Sequence, residues 1–186
     1  IVLDLNKQID NLSDSLRILG YESDINENQI KETQNKINEL RGKKGGIIKD
    51  VAAEIIKKDI KKAQRMSDKI YGKGKVVISE LSTEDQVLEV AYAEVMEQMG
   101  YDMKDVVILK EENGYSVVVN GKEIDPTSRK DIDKLVNEHA KSDGFVGVSS
   151  GNIFVNMPVA SSTGAINVTA HELLHKVLAK SLDENP

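Results

Sequence analysis

The chain has 186 residues, with 25 Lys and Arg against 31 Asp and Glu, a formal net charge of −6, three His and no Cys or Trp. Without cysteine there is no disulfide framework and no thiolate metal site, so any bound metal has to be held by histidine and carboxylate side chains. No apolar run of about 18 residues is present, and the first residues lack the basic-then-apolar order of a signal peptide. We therefore predict a soluble protein whose compartment the sequence does not indicate.

Charge divides the chain into three parts. Residues 1–40 have a net charge of −4, residues 41–75 of +8 and residues 76–186 of −10. We predict a helical, coiled-coil-like extension over residues 1–74 and an α+β domain over residues 75–186. Because the chain begins with Ile1 and ends soon after the motif described below, we also expect a processed piece of a longer protein.

The first segment has the apolar spacing of a coiled coil. Alternating steps of four and three residues separate Leu5, Ile9, Leu12, Leu16 and Leu19. Beyond residues 20–24 the same register continues with polar interruptions. One long coil and an antiparallel helical hairpin both remain open, and residues 1–70 are a candidate surface for self-association or partner binding.

Three glycines within residues 42–46 predict that the first helix stops or hinges there, since each costs about 1 kcal/mol relative to alanine. A second helix is then predicted over about 47–71. One of its faces is basic and consists of Lys57, Lys58, Lys61, Lys62, Arg65 and Lys69. This face is either a solvated flank paired with nearby acids or a contact for nucleic acid or an acidic partner. The lack of interleaved aromatic residues disfavours nucleic acid.

From Lys75 onward, short strands alternate with helices. Strands are predicted at 75–79, 105–110, 115–119 and 151–157, with Asn113 and Gly114 in a hairpin turn. Helices are predicted at about 83–99, capped by Ser82 or Thr83, and at 126–141. A loop over 160–165 leads into a last helix, for which a start near Ser162 or Thr163 is favoured.

The last helix contains the sequence His171-Glu172-Leu173-Leu174-His175. Imidazoles four residues apart lie one turn apart on the same helical face, where they can bind one zinc ion. Zinc lowers the pKa of a bound water, and a neighbouring glutamate can take the proton of that water during attack on a peptide carbonyl. The spacing therefore predicts a Zn²⁺ site with His171 and His175 as ligands and Glu172 as general base.

On this motif and the strand before it, residues of about 76–180 resemble the N-terminal half of the catalytic domain of zincin-type zinc metallopeptidases. The resemblance implies a small mixed sheet with an active-site helix, and a peptide or protein as substrate. It also implies that an extended substrate adds as a further strand at the cleft edge. The residues implied for that edge strand are Asn152, Ile153, Phe154, Val155 and Asn156.

A third zinc ligand is not evident. Metzincin-type enzymes have a glycine and a further ligand at the positions that Leu178 and Ser181 occupy here, so that branch is not expected. Gluzincin-type enzymes take a glutamate from a later helix, for which this chain has no sequence. Asp183 and Glu184 are candidates only if the helix breaks and folds back, because Asp183 otherwise lies about 12 Å beyond His175 along the axis.

Each candidate also has a structural interpretation. Thr169 and Glu172 fit a capping box, which would tie the carboxylate to the backbone. The two histidines of the motif can be an unmetallated surface pair, and His139 is most simply a surface residue. Tyr101 and Tyr115 are candidate oxyanion donors or core residues.

At the level of the whole chain, the first hypothesis is a zinc metallopeptidase or a fragment of one. The alternative is a non-catalytic structural or interaction protein of a larger assembly. In that case the chain carries a degenerate zincin-like domain and a basic helical arm.

Overall fold

The structure, a computed structural model, describes residues 1–19, 27–112 and 114–184. In chain order, the described helices are α1 (Val2–Leu19), α2 (Glu27–Tyr71), α3 (Glu84–Gln98), α4 (Pro126–Lys141), α5 (Met157–Thr163) and α6 (Val168–Glu184). The described strands are β1 (Ile78–Leu81), β2 (Val106–Glu111), β3 (Gly114–Val119), β4 (Lys122–Glu123), β5 (Gly144–Val146) and β6 (Ile153–Asn156). The predicted α+β class is confirmed.

The chain divides into two compact units, Ile1–Val51 and Ala52–Pro186. In the first unit, Leu5 and Ile9 of α1 share a buried cluster with Ile37 and Leu40 of α2. One continuous helix would hold Leu5 and Leu40 about 50 Å apart at 1.5 Å per residue. The first unit is therefore a helical hairpin, the second of the two arrangements that the sequence left open.

The glycines at 42–46 do not end a helix, because α2 runs unbroken from Glu27 to Tyr71. The predicted helix start near Ile47 is therefore wrong. Buried side chains occur on both flanks of the glycines, at Leu40 and at Ile56, and their burial offsets the low helix propensity of glycine. Hinge motion at 42–46 stays a prediction.

The second unit begins within α2, at Ala52, rather than at residue 75 where the charge pattern changes. Ile56 and Ala63 of α2 are buried in one core with Ile78 of β1 and Val155 of β6. Residues 52–71 therefore pack as part of the α+β unit.

The main sheet of this unit has the strand order β1-β6-β5. Strand β6 pairs in parallel with β1 and antiparallel with β5. One face packs against the second half of α2 and against α6, and the other face packs against α3 and α4. A second, antiparallel sheet has the order β2-β3-β4.

Local signals place three elements as predicted. Thr83 and Gln86 form a reciprocal capping box at the start of α3. Strands β2 and β3 form the expected hairpin, with Lys110 opposite Tyr115; Asn113 of its turn lies outside the described residues. Helix α4 begins at Pro126, where the Asp125 carboxylate accepts from two backbone amides.

The segment before α6 differs from the prediction. A loop was expected over 160–165, but α5 extends from Met157 to Thr163 and is capped by the side chain of Asn156. Gly164, at φ 74°, adopts the left-handed conformation that ends α5. Helix α6 consequently starts at Val168 and not near Ser162 or Thr163.

None of the helices in the described ranges combines the length and the apolar character that a membrane-spanning segment requires.

Candidate metal centre

The motif on α6 places two imidazole rings side by side. His171 and His175 are both exposed, and their Nε2 atoms are 2.9 Å apart. The ring centroids are 4.4 Å apart and the rings are perpendicular. Leu173, on the opposite side of the helix, is only 4% exposed and anchors α6 in the core. The amphipathic pattern of α6 therefore directs both histidines toward solvent on one helical turn.

The pair fits two ligand positions of a zinc site. Two nitrogens at this separation can both reach one ion at the usual zinc–nitrogen distance of about 2.0–2.1 Å. The same separation also fits a hydrogen bond between neutral rings. Among the side chains that the structure describes, no group of three His, Asp or Glu is placed to hold a metal. The motif thus offers two candidate ligands, whereas a protein zinc site has at least three protein ligands.

Asp183 and Glu184 were candidate third ligands only if the helix folded back. Helix α6 instead continues through Glu184. Two full turns of continuous helix separate Asp183 from His175, or about 12 Å along the axis. The fold-back on which these candidates depended does not occur.

Glu172 lies between the two histidines in sequence and is half-buried. It lines a cavity of about 650 Å³ together with His171, Asp143, Gly144 and Asn167. Burial raises the pKa of the Glu172 carboxyl, while the electrostatic effect of the nearby His171 and His175 opposes that rise. A carboxyl with a raised pKa beside a cavity has the character of a group that exchanges protons.

The edge strand assigned from the resemblance is wrong. Asn152 directly precedes β6, and the strand itself, Ile153–Asn156, is the central strand of the sheet, with β1 on one side and β5 on the other. Phe154 and Val155 are paired on both sides, so they have no free edge for a substrate. The Asn152 carbonyl oxygen Oδ1 accepts from the Val77 amide at 2.9 Å, a structural contact. Strand order depends on long-range pairing, which a local apolar pattern does not specify.

Strand β5 is the edge beside the motif helix. It contacts α6, and Gly144 lies in the cavity with His171 and Glu172. In the antiparallel pairing of β5 and β6, Phe145 is opposite Phe154. On either side of this pair, the Asn156 amide donates to the Asp143 carbonyl and the Gly147 amide donates to the Asn152 carbonyl. Hydrogen-bonded residues alternate along an antiparallel strand, so the backbone groups of Asp143, Phe145 and Gly147 point toward β6. By that alternation, the amide and carbonyl groups of Gly144 and Val146 point away from β6.

Gly144 brings β5 close to its neighbours. A Cβ atom at this position would lie 2.9 Å from both the Phe154 carbonyl oxygen and the Val168 side chain, and 3.7 Å from Glu172 Cγ. Glycine is therefore required where β5 meets α6.

The structure does not contain the capping box expected for Thr169 and Glu172, and it does not place His139 as a simple surface residue. Thr169 is fully buried, and its hydroxyl has no hydrogen-bond partner within the part of the chain that the structure describes. It therefore forms no capping box with Glu172. His139 is not a simple surface residue, since it is half-buried and stacks on Phe145 with ring centroids 4.5 Å apart.

The tyrosine candidates lie elsewhere. The Tyr115 hydroxyl donates to Asp85 at 3.2 Å, and Tyr101 packs against the core between α3 and α4. Neither residue lines the cavity at Glu172, so neither is placed as an oxyanion donor.

Sequence reasoning missed a buried acid, Glu94 on α3, which is 7% exposed. The Ser150 hydroxyl donates to its Oε1 atom. A Cβ atom at Gly147 would overlap the Glu94 carboxylate, so the loop after β5 packs directly on this side chain. The sequence signal that could have indicated its burial is its position between Ala91 and Val95, both on the apolar stripe of α3.

Comparisons of the chain with protein-family models, curated proteins and solved structures find no match.

Proposed function

We propose that this protein is a zinc-dependent metallopeptidase with a zincin-like catalytic unit. The observation that carries the proposal is the pair of His171 and His175 Nε2 atoms, 2.9 Å apart, next to the half-buried Glu172 at a cavity. Two imidazoles and one carboxylate on one helical turn can supply two metal ligands and a general base, which metal-assisted hydrolysis requires. The third ligand comes from outside the described residues of this chain.

In this proposal His171 and His175 would hold the metal, which when bound would supply an activated water and polarise the scissile carbonyl. Glu172 accepts the proton of the attacking water at its carboxylate and then donates it to the leaving amine. The half-buried position of Glu172 at the cavity, on the helical turn that carries both histidines, supports this role.

Strand β5 binds the substrate. The outward amide and carbonyl groups of the partly exposed Val146 offer a peptide backbone the hydrogen bonds of an added strand, whereas Gly144 is buried where β5 meets α6. Recognition through backbone groups indicates an extended peptide or an unfolded segment of a protein as substrate. Gly144 keeps this edge next to Glu172.

The test measures zinc content and hydrolysis of a quenched-fluorescence peptide library. We expect wild type to bind one zinc per chain and His171→Ala to lose it. Glu172→Gln should keep the metal and lose about 10²–10⁴-fold in activity, because it removes the general base. His139→Gln is the control for loss of a histidine outside the motif and should keep the zinc. Zinc-free wild type, or full activity of Glu172→Gln, would contradict the proposal.

The alternative is a non-catalytic structural or interaction protein. It is favoured because the described residues supply two candidate zinc ligands, whereas a zinc site needs at least three. Under this alternative the chain binds zinc weakly or not at all and hydrolyses no peptide, while assembly depends on the helical hairpin of residues 1–51. Deleting residues 1–75 would not separate the two functions, because it removes Ile56 and Ala63 from the α+β core.

A further inference from the structure

An apolar groove lies between the second half of α2 and α6, away from the cavity at Glu172. Its volume is about 380 Å³. Its apolar lining residues are Ala63, Met66, Ile70, Ala170, Leu173, Leu174 and Val177, and its charged lining residues are Asp59 and Lys62. The floor is made by Ala63 and Leu173, which are part of the core.

The rims of the groove expose large apolar side chains. Met66 is 47% and Ile70 43% exposed on α2, while Leu174 is 56% and Leu178 52% exposed on α6. Each pair is spaced four residues apart, so each helix presents a two-residue ridge, and Leu178 extends the α6 ridge past the residues that line the groove. Two apolar ridges beside an apolar floor form a surface that is costly to leave in water.

A row of cations borders the α2 ridge. Lys58, Lys62, Arg65 and Lys69 are exposed, and at 100° per residue they lie on the outer side of Met66. Within the described residues no ion pair involves these four, whereas Lys57 pairs with Glu54. The row extends for about 16 Å along α2. Among the described residues, the predicted pairing of this basic face with nearby acids is therefore limited to Lys57.

We propose that the groove is a docking site for an acidic amphipathic helix of a partner protein. The groove accepts the apolar face of a helix, with side chains at i, i+3 or i+4 and i+7 between the ridges. The cations of α2 then face the acidic flank of that helix, so charge complementarity fixes its side and orientation.

The charge and shape of the groove favour an acidic amphipathic helix over two other occupants. A second copy of the chain would bring its own cation row against the first, and like charges repel. A nucleic acid satisfies the cations but leaves the exposed ridges of Met66 and Leu174 without an apolar partner. An acidic amphipathic helix satisfies both parts of the surface.

Fluorescence anisotropy with the full chain tests the proposal. The probes are two labelled helical peptides of about 18 residues with the same leucine stripe, flanked by glutamate in one and by lysine in the other. We expect the glutamate peptide to bind at least about tenfold more tightly. Leu174→Ser with Met66→Ser should weaken its binding about tenfold or more, because the apolar contact is lost.

Two controls match these variants. Val107→Ser removes an equally exposed apolar side chain from β2 and should leave binding unchanged. Lys62→Glu with Lys69→Glu should abolish the preference for the glutamate peptide, whereas Lys104→Glu with Lys122→Glu, exposed outside the groove, should not.

Three results would overturn the proposal. One is equal or undetectable binding of the two peptides to wild type. Another is competition by a DNA duplex whose own binding is unaffected by Leu174→Ser. The last is a dimer in sedimentation that Leu174→Ser dissociates, which would assign the groove to a second copy. Circular dichroism verifies that each variant remains folded.

Discussion

Folding places the ring of His139 in a partly buried site. Its ring stacks on Phe145 and is half-buried, and this burial lowers the pKa of His139 below its ordinary value of 6.5. The negative charges of Glu138 and Glu94 oppose the shift without reversing it. The folded protein therefore favours neutral His139, and an unfolded chain takes up its proton at higher pH.

The sign of this linkage predicts a loss of stability on acidification. The contribution of His139 is complete above pH 6.5 and decreases as the pH falls toward the lowered pKa of the folded state. Urea unfolding at pH 7.5 and pH 5.5 measures it. We expect the decrease in the free energy of unfolding between these pH values to be smaller in His139→Gln than in wild type. An equal decrease in both proteins would show that His139 does not contribute.

At the scale of elements, α2 shows that local propensity can be overridden. Gly42, Gly45 and Gly46 lie within a 45-residue helix, and a Cβ atom at any of them would meet nothing within 4 Å. None has a positive φ, so no turn requires glycine there. The helix therefore carries the entropic cost of glycine without a compensating contact at these positions.

Gly45→Ala should stabilise α2. Alanine fits the helical backbone and reduces the freedom of the unfolded chain, which predicts a gain of about 0.5–1 kcal/mol. Thermal and urea unfolding followed by circular dichroism measure the gain. Gly144→Ala is the matched control and should be destabilising, since its Cβ atom would overlap the Phe154 carbonyl oxygen and the Val168 side chain. A destabilised Gly45→Ala would indicate that the segment needs glycine for bending.

At the scale of the whole molecule, α2 contributes to both compact units. Its first part packs with α1 through Ile37 and Leu40, and its second part packs in the α+β core through Ile56 and Ala63. The change in charge near residue 75 marks a change in surface character. Tertiary contacts, which decide where a folding unit ends, place the division between Val51 and Ala52.

Two adjacent isoleucines test this division. Ile56 is 0% exposed in the α+β core, whereas Ile55 is 41% exposed. Ile56→Ala should cost about 2–5 kcal/mol of unfolding free energy, because it leaves a cavity in that core. Ile55→Ala should stay within about 0.5 kcal/mol of wild type. Similar losses in both variants would contradict the assignment of residues 52–71 to the α+β unit.

The sequence alone determined the features that depend on neighbours along the chain. The i, i+4 spacing of His171 and His175 puts them on one helical turn, and the signals at Thr83, Asp125 and Gly114 act through local backbone hydrogen bonds and conformation. Zinc binding and peptidase activity remain predictions from that spacing.

Only the tertiary structure decided the features that depend on distant contacts. It placed β6 at the centre of its sheet and β5 at an edge, continued α2 through its glycines and buried Glu94 under the loop after β5. Strand order and burial result from pairing and packing between residues far apart in the chain. An apolar pattern predicts that a segment is buried, but not which neighbours cover it.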